Sequence, residues 1–127
     1  MNEQLGALKV PLVAAVDTTP GAVLAVQNEE GEDLIVTDLI IDIITESNGP
    51  ALVDAGIVPV AAQSHDNLVD GLDLSGGPGV FSNISDPGTN GEVQVKWPAG
   101  HYVTITATAD LTGLVANAYI KWIRVGS

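Results

Sequence analysis

The chain has 127 residues, no cysteine, and 16 acidic against four basic side chains, which gives a formal net charge of −12. The length is typical of one domain, and the lack of cysteine excludes disulfides, thiolate catalysis and cysteine-ligated zinc. The negative charge disfavours direct binding to nucleic acid or to an anionic membrane.

Residues 1–20 are predicted to form an extended N-terminal arm or edge strand. The main domain is predicted to span residues 21–127. No secretory signal is expected, because the start has no basic cluster and Lys9 and Pro11 interrupt the apolar run. Pro11 restricts a strand here to the edge of a sheet. The arm either docks on another chain or folds back onto its own domain, and its candidate contact residues are Leu5, Leu8, Val10, Leu12 and Val13.

The segment 34–45 gives the strongest strand signal, because nearly every residue in it is apolar or β-branched. One of its faces can form the core. The other face, with Val36, Asp38, Ile40 and Asp42, is too apolar for ordinary solvent and too acidic for an interior. We therefore expect a loop, the arm or a second subunit to cover that face in part.

The rest of the chain alternates short period-2 segments with turns rich in Gly and Pro. Strands are predicted over 22–28, 51–58, 92–97, 101–108 and 115–125, with Val93 among the inward residues. Residues 59–87 are predicted to be irregular, with one short helical turn over 66–72. This pattern indicates an all-β fold, an antiparallel sandwich or barrel of the jelly-roll kind, with an immunoglobulin-like sandwich as the alternative.

No residue pattern indicates catalysis. Ser64, His65 and Asp66 are consecutive, so their side chains diverge and cannot act as a proton relay. Asp66, Asp70 and Asp73 could hold calcium, but their spacing is not that of an EF-hand loop, and aspartates commonly bond to loop amides. No cofactor is expected.

Several segments, in this order, resemble small structural proteins of tailed bacteriophages that include capsid decoration (cement) proteins. The resemblance rests on residues 39–45, 66–73, 79–83, 88–91, 97–104 and 113–120. It implies a jelly-roll-like domain that forms a homotrimer and binds the major capsid protein on the outside of the virion. It also implies synthesis in the host cytoplasm.

A carbohydrate-binding jelly-roll module used in attachment is the alternative function. Such a site needs exposed aromatic side chains beside polar groups. The aromatic side chains that could line a sugar site, or pack in the core instead, are Trp97, Tyr102, Tyr119 and Trp122.

Overall fold

The computed structural model describes residues 5–12, 21–61, 63–109 and 111–124, and these residues form nine β-strands. The strands are β1 (Leu5–Leu12), β2 (Gly21–Gln27), β3 (Leu34–Thr45), β4 (Leu52–Val58), β5 (Val69–Asp73), β6 (Gly79–Ser82), β7 (Val95–Trp97), β8 (Tyr102–Ala107) and β9 (Val115–Arg124). Among these residues no helix is long and apolar enough to cross a membrane. The predicted all-β class is confirmed.

The strands form two antiparallel sheets that pack as a sandwich. One sheet has the order β1-β9-β3-β6, with β7 also paired to β3, and the other has the order β2-β8-β4-β5. Because β1, β2, β3 and β4 alternate between the sheets, the sandwich has the connectivity of a jelly roll. The predicted jelly-roll arrangement is therefore confirmed, and the immunoglobulin-like alternative is not adopted.

The core lies between the two sheets and is built by alternating residues of the long strands. On β8, Val103, Ile105 and Ala107 face inward as predicted, and the first two are 0% exposed. The predicted inward orientation of Val93 is wrong: this residue is 53% exposed, because strand β7 begins only at Val95.

Strand β3 changes the face that it buries part-way along its length. Its pairing with β9 shifts by one residue between Val36 and Asp38, so Thr37 occupies a β-bulge. The buried residues are Leu34 and Val36 before the bulge and Leu39, Ile41 and Ile43 after it. Val36 is thus 0% exposed in the core, and its predicted place on an interaction face is wrong.

The predicted helical turn over 66–72 is also wrong, because this region contains strand β5, which pairs with β4. Gly71 has a φ of 79°, which an L-amino acid rarely adopts. Leu68 and Val69 are buried, so the segment is anchored to the core rather than forming an irregular loop.

The arm residues 5–12 form an edge strand of their own domain. Strand β1 pairs antiparallel with β9 at the end of the five-stranded sheet, a position that tolerates Pro11. Leu12 is 3% exposed, and Val10 packs against the core. For residues 5–12 the structure has the second of the two predicted alternatives, in which the arm folds back onto its own domain. Val13 lies outside the described residues.

Candidate interaction face

The side of the five-stranded sheet that points away from the core is the candidate interaction face, called the outer face below. Its position follows from the registers, because Lys9 pairs with Tyr119, Tyr119 with Ile40, and Lys121 with Asp38. These residues alternate along their strands with buried neighbours such as Ala118 and Ile120. The centre of the outer face consists of Lys9, Asp38, Ile40, Asp42, Tyr119 and Lys121.

The two sheets differ in how much of their outward side is covered by the chain itself. On the four-stranded sheet, the loop 63–67 lies so close to β4 that a Cβ on Gly56 would be 2.6 Å from the Asn67 Oδ1 atom. Thr104, which pairs with Gly56, is consequently 0% exposed. On the five-stranded sheet, by contrast, the outward residues Lys9 and Lys121 are exposed, and Asp38, Ile40, Asp42 and Tyr119 are only partly buried.

The outer face is rich in apolar groups for a solvent-facing surface. Ile40 and Tyr119 are half-buried at its centre. Four of the nine exposed large hydrophobic side chains of the described chain lie at its margin, namely Leu5, Ile44, Val80 and Val115. Apolar surface of this extent is typical of a contact site with another macromolecule.

The charges of the protein are distributed unequally between its two sides. Three of the four basic residues of the chain point outward from the five-stranded sheet: Lys9, Lys96 and Lys121. Lys121 Nζ lies 3.9 Å from an Asp38 carboxylate oxygen, and Lys96 Nζ lies 4.0 Å from Asp33. The fourth basic residue, Arg124, pairs with the loop residue Glu30.

The acidic loop beside the four-stranded sheet is organised by hydrogen bonds within the chain. Asp70 accepts from the Asn90 amide, Asp66 from the Asn90 side chain, and Asp73 from both the amide and the hydroxyl of Ser75. Within the described ranges no group of three His, Cys, Asp or Glu side chains could hold a metal ion. These contacts agree with the interpretation that the aspartates accept hydrogen bonds from amides of the loop.

Asp54, on β4, is the carboxyl group of this region with a raised pKa. Burial raises the pKa of Asp54 most, and the nearby Asp70 and Asp66 carboxylates raise it further. The amide of Gly71 donates to Asp54 at 2.9 Å and opposes this shift. In contrast, the hydrogen bond from Asn90 lowers the pKa of Asp66.

Ser64, His65 and Asp66 do not form a proton relay with one another. The Ser64 hydroxyl pairs with the Thr106 hydroxyl at 2.7 Å, on β8. His65 Nδ1 lies 3.3 Å from the carboxylate of its own neighbour, Asp66. The serine is therefore directed to the sheet and not to the imidazole.

Two of the aromatic residues pack together at the β1/β2 end of the sandwich. Trp97 is 2% exposed, and its ring meets Trp122 edge-on at a centroid distance of 5.9 Å. Beside them a cavity of about 280 Å³ opens between the sheets, lined also by Leu8, Val26 and Gln27. The Trp122 Nε1 donor is buried and has no acceptor within the described residues.

Of the residues that the sequence analysis proposed for an interface, Asp38, Ile40 and Asp42 lie together on the outer face. Leu5 lies at its margin and is 68% exposed. Leu8, Val10 and Leu12 alternate with the outward residues of β1 and point into the sandwich instead.

Lys9, Tyr119 and Lys121 also lie on the outer face, although none of them was predicted as an interface residue from the sequence. On β9 the signal was available, because small or apolar residues at 116, 118 and 120 alternate with Asn117, Tyr119 and Lys121.

No protein-family model and no curated protein sequence matches the chain. Solved structures share its fold, and two of them match along most of both chains. A chain in the acid-stable capsid structure of Helicobacter pylori bacteriophage KHP30 matches with a TM-score of 0.59 and 9% identity, over 97% of this chain and 90% of the other. The C-terminal domain of EclA, a sugar-binding protein, matches with a TM-score of 0.51 and 9% identity, over 95% of this chain and 80% of that domain's chain. At these identities the similarity establishes the jelly-roll fold.

Proposed function

We propose that the protein is a non-enzymatic structural component of a virion that binds the outer surface of a capsid as an oligomer. The observation that carries this proposal is the match to a chain of a phage capsid structure along almost the whole length of both chains. The match spans almost all of this chain and of the capsid chain, so the likeness extends over the whole β-sandwich.

The outer face supports an assembly role. It exposes apolar side chains at its margin and its centre is only partly buried, while the opposite sheet is partly covered by the loop 63–67. A protein of net charge −12 also stays soluble when such a surface is exposed, because its remaining surface repels other copies. An assembly protein needs both an exposed apolar contact surface and a charge that keeps it from aggregating until it reaches its partner.

The proposed partners are further copies of the chain and the major capsid protein. The proposed oligomer is the homotrimer implied by the phage resemblance, and closed symmetry of this kind prevents open-ended growth. Light scattering tests it, with an expected mass of three times the 13.0 kDa of one chain. A protein that stays at 13.0 kDa at every concentration contradicts the oligomer.

Co-sedimentation tests capsid binding directly. The purified protein is mixed with empty shells assembled from the major capsid protein of the same genome, and with shells of an unrelated phage as the control. We expect saturable binding to the first shells only, together with a higher temperature of shell disassembly. Absence of binding to the cognate shells contradicts the proposed function.

Carbohydrate binding is the second candidate function, and the cavity beside Trp122 favours it. This cavity is lined by the aromatic Trp97, the polar Gln27 and Glu29, and Trp122, whose Nε1 donor has no acceptor within the described residues. A glycan array, followed by titration of any hit with tryptophan fluorescence, tests this function. A hit that Trp122→Ala abolishes supports it, and an array without hits contradicts it.

A further inference from the structure

The outer face carries charges of both signs, while the rest of the described surface is predominantly acidic. Lys121 pairs with Asp38, Lys9 with Tyr119, and Asp42 with Asn117, so the centre of the outer face holds two basic and two acidic side chains and has no net charge. On the other side, Asp54, Asp66, Asp70 and Asp73 have no lysine or arginine near them in sequence, and no ion pair among the described residues joins any of them to one. Two copies with a net charge of −12 each repel one another in most orientations, but not when their outer faces meet.

The charges on the outer face are also separated into two halves. Lys9 and Lys121 lie on β1 and β9, and Asp38 and Asp42 lie on β3, while Lys96 on the neighbouring β7 pairs with Asp33. Within the described residues Lys9 and Asp42 have no ion-pair partner, whereas Lys121 and Asp38 contact each other only at 3.9 Å. The face thus offers one positive and one negative half, each with unsatisfied charge.

We propose that the outer face binds the outer face of a second copy of this chain about a twofold axis that runs parallel to the strands, between β9 and β3. Rotation about this axis places β9 of one copy opposite β3 of the other. Because Lys121 and Asp38 share one row of the sheet, Lys121 of each copy then faces Asp38 of its partner. A twofold axis perpendicular to the strands instead places β3 on β3, so that aspartates face aspartates.

The centre of this contact is apolar. Tyr119 and Ile40 form the row beside the axis, so each tyrosine packs over the isoleucine of the other copy. Two sheets packed in this way lie about 10 Å apart. Apolar groups at the centre with charges around them match the usual arrangement of a protein interface.

The contact is small, so the association is expected to be weak and concentration-dependent. Three neighbouring strands about 4.8 Å apart, each with about eight residues in the sheet, give a footprint on the order of 400 Å² per copy. Stable complexes usually bury about 800 Å² per partner. The marginal side chains Leu5, Ile44, Val80 and Val115 add to this footprint.

This contact uses the outer face, whose exposed apolar groups also support the proposed assembly role, but its test needs no capsid. An isologous contact uses the same patch on both copies and leaves the other surfaces available for a ring or for a capsid. Its signature is a doubling of mass with concentration, whether the starting species is a monomer or a trimer. Failure of capsid co-sedimentation therefore says nothing about the twofold contact.

Charge reversal tests the contact with two variants, Lys9→Glu/Lys121→Glu and Asp38→Lys/Asp42→Lys. In the first variant both halves of the face become negative, and in the second both become positive. By sedimentation velocity we expect each variant alone to self-associate at least about tenfold more weakly than the unmodified chain, because like charges then face each other. An equimolar mixture of the two is expected to recover the association, since a negative face meets a positive one.

A matched control is Glu29→Lys/Glu92→Lys, which changes the net charge as much as Asp38→Lys/Asp42→Lys but at exposed positions away from the outer face. We expect this control to associate at least as well as the unmodified chain. Thermal unfolding of every variant verifies that it is folded. Asp38→Lys/Asp42→Lys makes the outer face positive. If this variant alone associates more strongly than the control, its outer face binds the acidic side of another copy, and the twofold contact is wrong. The contact is equally wrong if the mixture fails to associate.

A single cysteine gives a second measurement, because the chain has none of its own. With a short bismaleimide crosslinker, which can span the two sheets, Tyr119→Cys is expected to give a crosslinked dimer, whereas Val60→Cys, which is exposed away from the outer face, is expected to stay uncrosslinked. Equal crosslinking of the two variants overturns the proposed contact.

Discussion

The side chain of Asn83 bridges the gap that β6 and β7 leave along the edge of β3, and we predict that its removal strongly destabilises the domain. Strand β7 pairs with residues 34–36 of β3, and β6 pairs with residues 40–43. Between them, the Leu39 amide donates to Asn83 Oδ1 at 2.9 Å. Asn83 Nδ2 donates to the carbonyl oxygens of Glu92 and Val93 at 3.0 and 3.2 Å.

The size of the effect follows from burial, because Asn83 and Leu39 are both 0% exposed. Asn83→Ala leaves the Leu39 amide without an acceptor, which costs about 1–3 kcal/mol for a buried donor. Loss of the two bonds to the carbonyl oxygens adds about 1 kcal/mol. We therefore expect the free energy of unfolding to fall by about 2–4 kcal/mol, and the melting temperature to fall by about 10 °C.

Urea unfolding, followed by the fluorescence of Trp97 and Trp122, measures this change. Asn90→Ala is the matched control, because Asn90 is exposed and its side chain donates only to Asp66, at 3.0 Å. We expect the control to lose less than about 1 kcal/mol. If Asn83→Ala loses no more than the control, the side-chain bridge does not hold β6 and β7 to β3, and the reasoning is refuted.

Three further predictions concern charge, backbone and the edge strand. The folded-state pKa of Asp54 is raised, so the stability that this group contributes is fully present below its unfolded pKa and is lost as the pH rises through the folded pKa. Denaturation measured across pH should therefore show Asp54→Asn to be more stable than the unmodified chain near neutrality. Below the ordinary pKa of 3.8 the variant should show no such gain. Gly88→Ala should lower the melting temperature more than Gly71→Ala does. Both glycines have a positive φ, but only at Gly88 would a Cβ lie 2.1 Å from a backbone oxygen. Equal decreases in melting temperature would contradict this. Deleting residues 1–12 should lower the melting temperature, because it removes the buried Leu12 and exposes β9; an unchanged melting temperature would show that β1 is dispensable to its own domain.

The fold class could be predicted because alternation is regular in most of the long strands. Residues 101–108 illustrate this: Val103, Ile105 and Ala107 are buried as their spacing predicts. The connectivity of a jelly roll could not be derived from alternation, since a pattern of period two indicates a strand but not its partner. It was predicted from the resemblance and from the number of strands.

For β3, alternation predicts correctly which residues are buried only in the part that follows the bulge, from Asp38 onward. Strict alternation assigns Val36 to the same side as Ile40, whereas the extra residue at Thr37 places Val36 in the core and leaves Ile40 outside. Two adjacent polar residues, Thr37 and Asp38, interrupt the apolar run at this point. A polar pair inside an otherwise apolar strand is therefore a usable signal for a change of face.

The composition of the outer face could not be predicted from any one segment of the chain. Its charged and apolar groups come from β1, β3 and β9, which are separated by many residues in the sequence and become neighbours only in the sheet order β1-β9-β3. In the sequence Lys9 and Lys121 are two isolated cations in an acidic protein, and Asp38 and Asp42 are two of 16 acidic residues. The sheet brings the four together and balances them, so an interaction surface arises on a protein whose net charge alone would indicate only repulsion between copies.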